Sequence, residues 1–173
     1  MRVGDVIEVG AIIGTVQRIG ARSTWIRTGT NFEIIVPNST LVQTNVVNWT
    51  LTDDKIRTSI RVGVAYGSST RDVSRLLKKA AEEHGLVMIN PEPFVIFTDF
   101  ADNALVFVLH FWLQMRSLGE RQRIESDIRH IIDMRFREAG IVMAFPQRDV
   151  HLDVSRPLDV RFVGREDPMS GAA

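Results

Sequence analysis

Four histidines, two closely spaced aspartates, a glycine-flanked turn before a helix and a scatter of serines are the side chains here that could do chemistry. His84, His110, His130 and His151 fall in four different segments, with no partner histidine three or four residues away. A metal site needs ligands converging on one face, and this spacing supplies none. His84 is placed where a helix should end and a cation suits the dipole; His110 lies in an apolar strand, as a core or interface residue. Asp99 and Asp102 flank Phe100-Ala101, a conceivable acid–base pair. Asp and Asn also gather in hairpin turns, where their side chains bond the nearby backbone, and the turn is the preferred reading. Gly63-Val64-Ala65-Tyr66-Gly67 precedes a helix, but it has neither the Lys-Ser/Thr ending of a phosphate loop nor a three-glycine dinucleotide fingerprint. No serine stands in a Gly-x-Ser-x-Gly elbow. With no cysteine in the chain, thiolate sites and disulfides are excluded. No catalytic constellation or cofactor site emerges.

Charge and length narrow the classes further. The 173 residues carry 21 Lys plus Arg and 21 Asp plus Glu, a formal charge of zero. Bulk electrostatic binding of nucleic acid normally shows a basic excess. In residues 1–52, Arg2, Arg18, Arg22 and Arg27 stand against Asp5, Glu8 and Glu33, a net of +1, with Trp25, Phe32 and Trp49 as the ring residues. Trp25 beside Arg27 is one pair where a single-strand groove would want several. Packing is the simpler role for these rings. The longest apolar run, Ala104 to Leu109, is far short of the ~20 residues that span a bilayer. The N-terminus does not read as a signal peptide.

The elements that must position these residues fall into two patterns. Up to residue 52, short β-rich runs (Val6 to Val9, Ile12 to Ile19, Thr24 to Arg27, Phe32 to Val36, Val46 to Trp49) alternate with glycines. Glycine punctuation of this density suits a small, strongly bent barrel. Imperfect alternation within Gly14 to Ile19 predicts a bulge. Pro37 should end the fourth strand, leading through Asn38-Ser39 into a short segment ending at Gln43. After a polar boundary at Thr50 to Lys55 the order becomes β-α-β-β-α. Strands are expected at Ile56 to Ala65, Phe94 to Thr98 and Ala104 to Leu113, the last covered on both faces, with a turn over Asp99 to Asn103. Ser69/Asp72 and Ser117/Glu120 form capping boxes. Val73, Leu76, Leu77, Ala80 and Ala81, and later Ile124, Ile128, Ile131 and Ile132, keep helical spacing. Gly85 is expected to supply a left-handed cap. Two helices on one face of a mixed sheet make an α/β sandwich of the ferredoxin-like kind. Asp149 to Val154 then alternates polar and apolar residues, a lone strand that needs partners. It could add to the edge of its own sheet or join identical strands of other copies.

In order along the chain, Val3-Gly4-Asp5-Val6-Ile7-Glu8-Val9-Gly10, Gly14-Thr15-Val16, Thr24-Trp25-Ile26-Arg27-Thr28 and Ile34-Ile35-Val36-Pro37-Asn38-Ser39 resemble the cytoplasmic β domain of small-conductance mechanosensitive channels. Val62 to Tyr66 and Phe145 to His151 resemble the domain that follows it and its closing strand. The chain departs from the family at Gly10-Ala11, where a Gly pair is common, and at Thr30-Asn31, where an Asp-Gly type turn is. Family members also carry transmembrane helices ahead of this region, so the resemblance implies an excised cytoplasmic portion with Met1 as an expression start.

The resemblance implies a Sm-like β barrel over 1–52, the α/β domain over 53–145, a barrel-forming strand within 146–156 and a disordered tail over 157–173. It further implies a homoheptamer forming a hollow cage below a membrane pore. Pro146, Gln147, Arg148, Asp149, Val150, His151 and Leu152 would form the strand of an oligomeric barrel. Side portals would lie around Trp49 to Arg61. The implied role is a vestibule that filters ions and small solutes released under hypo-osmotic tension. It would sit on the cytoplasmic side of the inner membrane, joined to it by pore helices, without cofactor, nucleic acid or small-molecule substrate. The competing reading is a stand-alone Sm-like RNA-binding protein. An enzyme built on the α/β domain is least favoured.

Overall fold

In a computed structural model the structure describes residues 1–115, 117–146 and 148. It is a mixed α/β fold with two antiparallel sheets. The first has five strands: β1 (Val6–Val9), β2 (Ile12–Ile19), β3 (Ser23–Thr28), β4 (Glu33–Pro37) and β5 (Val46–Asn48), with α1 (Asn38–Gln43) between the last two. Their order across the sheet is β4-β3-β2-β1-β5. The second has β6 (Lys55–Val64), β7 (Phe94–Ala101) and β8 (Ala104–Gln114) in the order β6-β8-β7, with α2 (Thr70–Glu82) and α3 (Leu118–Glu138).

Local chemistry explains the first sheet. Gly10 takes φ +58° in the two-residue turn that pairs Val9 with Ile12, a conformation that strains any residue with a Cβ. The expected irregularity in β2 is present: the register with β3 shifts between Val16 and Arg18. Gly14 is fixed by space, since a Cβ there would press into the Arg27 carbonyl oxygen and lie 2.7 Å from Ile26 Cγ2. Ile7, Val9, Val16, Ile26 and Val36 form the buried cluster inside. Thr24 is buried but satisfied, donating to Asn38 Oδ1 at 2.9 Å, while Asn38 Nδ2 donates to the Gly20 carbonyl at 3.0 Å. Pro37 closes β4 and stands at the N-terminal boundary of α1.

In the second sheet both caps form. Ser69 Oγ accepts from the Asp72 amide and Ser117 Oγ from the Glu120 amide. Val73, Leu77, Ala80 and Ala81 of α2 and Ile124, Ile128, Ile132 and Phe136 of α3 pack over the inward residues of β6 and β8, among them Ile60, Leu105, Phe107, Leu109 and Phe111. A bidentate pair between Arg135 and Glu83, with N–O distances of 2.9 and 3.2 Å, ties the two helices at the surface. Val6 of β1 joins this second core, and Trp49 packs against it. The stretch after β5 is also fastened to β1: the Trp49 amide donates to the Val6 carbonyl at 2.9 Å, and the Val6 amide to Thr50 Oγ1 at 3.0 Å.

Four expectations are corrected. Gly85 is not left-handed: α2 has already closed, with the His84 amide on the Ala81 carbonyl and His84 Nδ1 accepting from the Leu86 amide. The positive φ of a C-terminal cap occurs instead at Gly140, after α3. Asp99 lies in a strand, because β7 runs on to Ala101 past a bulge between Phe97 and Asp99; only Asp102-Asn103 turns. The sheet pairs are all antiparallel among the described residues rather than mixed. Finally, β8 is central but helices cover only one of its faces.

The Gly14→Ala variant should lose about 1–3 kcal/mol through the clash with the β3 backbone. A urea midpoint equal to the wild type would show that the β2–β3 contact yields without cost.

Candidate functional site

Because α2 and α3 cover one side of β6-β8-β7, the residues that alternate with the core lie on a helix-free face. The register orders them in rows: Arg57 beside Trp112; Ser59, His110 and Phe94; Arg61, Val108 and Ile96; then Gly63, Val106 and Asp99. The centre is apolar and aromatic. Phe94 is 37% exposed and Ile96 44%, while Val108, His110 and Trp112 are half-buried. His110 stacks on Phe94, ring centroids 4.9 Å apart. Arg57 and Arg61 are exposed and form no ion pair with the described residues. Asp99 stands on the opposite border, and Asp102 in the turn beyond it. A shallow groove of about 520 Å³ joins Arg61, Asp102 and Val106 at that end of the face.

Strand edges are the other unused feature. Beyond Gly140, the chain returns along the outer edge of β6. The Ala65 amide donates to the Val142 carbonyl at 2.9 Å, Val64 pairs with Met143, and the Ala144 amide donates to the Gly63 carbonyl at 3.1 Å. The chain then leaves through exposed Phe145 and Pro146. The rest of that β6 edge, the outer edge of β7, and both edges of the first sheet, β4 and β5, have no ladder partner among the described residues. Ile35 on β4 and Val47 on β5 are 58% and 51% exposed.

The sequence-derived site residues fare unevenly. Pro146 and Arg148 are described and exposed. Gln147, Asp149, Val150, His151 and Leu152 lie outside the described residues, as does the tail. His84 does end α2 and also approaches Asp127, with Nε2 3.6 Å from Oδ2. The three described histidines do not converge, and no group of metal-ligating side chains exists among the described residues. Trp25 takes its cation from Arg18, 5.0 Å above the ring, while Arg27 is drawn to Glu33 at 2.6 Å. The helix-free face escaped the sequence reading. Its signal was the alternation Arg57-Ser59-Arg61 against Ile56, Ile60 and Val62.

Electrostatics on the face center on His110. Burial, and then the Arg57 charge, hold its imidazole below the usual 6.5. Near the other sheet, the Asn48 side chain and the Arg2 amide hold the Asp5 carboxyl below its ordinary range.

For His110 the unfolded chain takes the proton first. Stability is therefore complete above about pH 6.5 and declines as pH falls through that value toward the folded pKa. Urea unfolding between pH 8 and 5 should show this decline, and His110→Phe, which keeps a ring against Phe94, should flatten it. Parallel pH profiles for the two proteins would contradict the assignment.

Comparison with known proteins gives a consistent result. Residues 1–51 match the family model of the mechanosensitive ion channel β-domain, and residues 58–143 match that of the mechanosensitive ion channel MscS C-terminal region. Mechanosensitive channel MscK of Escherichia coli is 40% identical over 166 residues, covering 96% of this chain and 15% of that protein. Miniconductance mechanosensitive channel MscM of the same organism is 29% identical over 153 residues, covering 88% of this chain and 14% of that protein. The chain thus spans a small part of these curated relatives. The closed-state crystal structure of Helicobacter pylori MscS superposes with a TM-score of 0.79 at 22% identity, over 90% of this chain and 60% of that one. Arabidopsis thaliana MSL1 gives 0.67 at 15%, over 84% and 53%. These last two likenesses are of fold.

Proposed function

The chain belongs to the mechanosensitive ion channel MscS family, and from that premise we propose that it is the cytoplasmic vestibule of such a channel. In this reading seven copies enclose a water-filled chamber beneath a membrane pore, and the chamber admits ions and small solutes that leave under hypo-osmotic tension. Among the described residues no helix is long and apolar enough to cross a membrane; in this reading the pore is made by other parts of the protein. The vestibule catalyses nothing and uses no cofactor, nucleic acid or small-molecule substrate. Its place is the cytoplasmic side of the inner membrane.

One observation carries the assembly: the five-stranded sheet ends in two strands, β4 and β5, that have no ladder partner among the described residues, each with an exposed apolar residue. An open edge of this kind is a template for pairing with another chain. Edge-to-edge pairing of β4 with the β5 of a neighbour repeats by rotation and closes into a ring. The same sheet, bent at the β2 bulge, supports the Sm-like barrel as its finer description. For the second unit, the order β6-β8-β7 with Val142 to Ala144 beside β6 supports a ferredoxin-like arrangement. The divisions at 52 and 145 belong to this reading, as does the assignment of Pro146 to Leu152 to a barrel of strands around the axis. Portals around Trp49 to Arg61 would fall between the two sheets.

Removing residues 146–173 should leave each protomer folded, since Val142 to Ala144 and the second core remain, while the seven-copy particle becomes at least tenfold less stable to dilution. Sedimentation of both forms checks this, and unchanged assembly of the shortened chain would count against the barrel of strands. A chimera carrying these residues in place of the matching region of a working family channel should protect cells from osmotic downshock. A chimera that reaches the membrane as a ring yet gives no tension-activated current would contradict the vestibule.

A further inference from the structure

We propose that the β2–β3 hairpin end of the first sheet docks on an anionic membrane surface, with Arg18 and Arg22 on lipid phosphates and Trp25 and Ile35 against the headgroup region. The proposal rests on the vestibule reading above and deepens it by naming residues that hold the first sheet to the bilayer. Arg18, Trp25 and Ile35 are cross-strand neighbours in one row of β2, β3 and β4. The Arg18 guanidinium lies over the Trp25 ring, 5.0 Å from its centroid. That ring reaches back over Gly20, where an added Cβ would come within 3.0 Å of Trp25 Cζ3. Arg22 is exposed in the turn that follows, its carbonyl accepting from the Asn38 amide at 2.9 Å. Ile35 is 58% exposed, and Ile19 is exposed at the same end of the hairpin.

Charge selects the occupant. Arg18 and Arg22 form no ion pair with the described residues, and the three acids of residues 1–52 are all engaged or distant. Glu33 is paired with Arg27 at 2.6 Å, and Asp5 accepts from Asn48 and feels the Arg2 charge. Glu8 stands opposite Ile13, at the far end of β2 from the hairpin turn. Residues 34–52 carry no charged side chain at all. The hairpin end is therefore a patch of uncompensated cations with apolar side chains set among them. A single-stranded nucleic acid would want several stacking rings, and here there is one ring with aliphatic neighbours. A bilayer surface matches both features: anionic phosphates for guanidinium groups, and a boundary layer in which Trp and aliphatic side chains settle. A chain of a membrane channel family has such a surface at hand. Every copy in a ring presents the same patch, so weak individual contacts add up.

Vesicle flotation with the purified chain tests the contact. The wild type should float with vesicles of equal parts phosphatidylcholine and phosphatidylglycerol, not with phosphatidylcholine alone, and binding should weaken as salt rises. Arg18→Gln/Arg22→Gln should weaken it at least tenfold. Arg71→Gln/Arg123→Gln, which removes two exposed arginines of α2 and α3, should leave it unchanged. The anionic vesicles should also shift tryptophan emission to the blue in the wild type but not in Trp25→Phe, which retains Trp49 and Trp112. Equal loss in both arginine pairs would reduce the effect to bulk charge and overturn the contact. Release by inorganic phosphate beyond that by chloride of the same ionic strength would show a small-anion site and overturn it too. So would a chain that ignores both vesicles but binds oligouridylate through the same two arginines. Sedimentation of the same preparation tests the vestibule separately: rings that stay off anionic vesicles overturn this contact and leave the ring in place.

Discussion

Unpaired strand edges are the constraint on which the rest of this structure depends. A backbone amide or carbonyl removed from water without a partner costs about 1–3 kcal/mol, so an edge is paired, solvated or blunted. Here two small sheets present four edges between them, and among the described residues only Val142 to Ala144, at one end of β6, fills part of one. Both sheets have good cores of their own. What they lack is lateral closure, which copies of the same chain related by rotation can supply.

The two sheets are nonetheless not independent beads. Val6 is a β1 residue whose side chain belongs to the second core, and Trp49 packs on that core from the end of the first sheet. Asp5 holds the same place from outside, accepting from Asn48 at 2.7 Å and from the Arg2 amide at 2.8 Å. A ring built on one sheet is thereby coupled to the arrangement of the other. That coupling is what a vestibule with fixed openings between its two layers would need.

Much of this was legible from residue order alone. The helices declared themselves through Ser69 and Ser117, whose hydroxyls have no better use than capping, and through apolar spacing that only a helix brings onto one face. The β2 bulge was visible in broken alternation. Gly85 misled because a glycine after a helix suggests a left-handed cap, whereas His84 closed the turn first. Asp99 misled because aspartate favours turns by local bonding, and the β7–β8 ladder outweighed that preference. The helix-free face was hidden by β8 itself: Val106 and Val108 look like Leu105 and Phe107 in sequence, so nothing there says which side the helices cover. The alternating strand proposed for the ring axis rests on sequence alone, since it lies almost wholly outside the described residues.

The most direct test is to image the purified particle by electron microscopy at a concentration where it is assembled. The account expects seven-fold rings around a solvent-filled centre, with two tiers of density per subunit. Compact particles of one chain, or closed dimers without a central chamber, would contradict it.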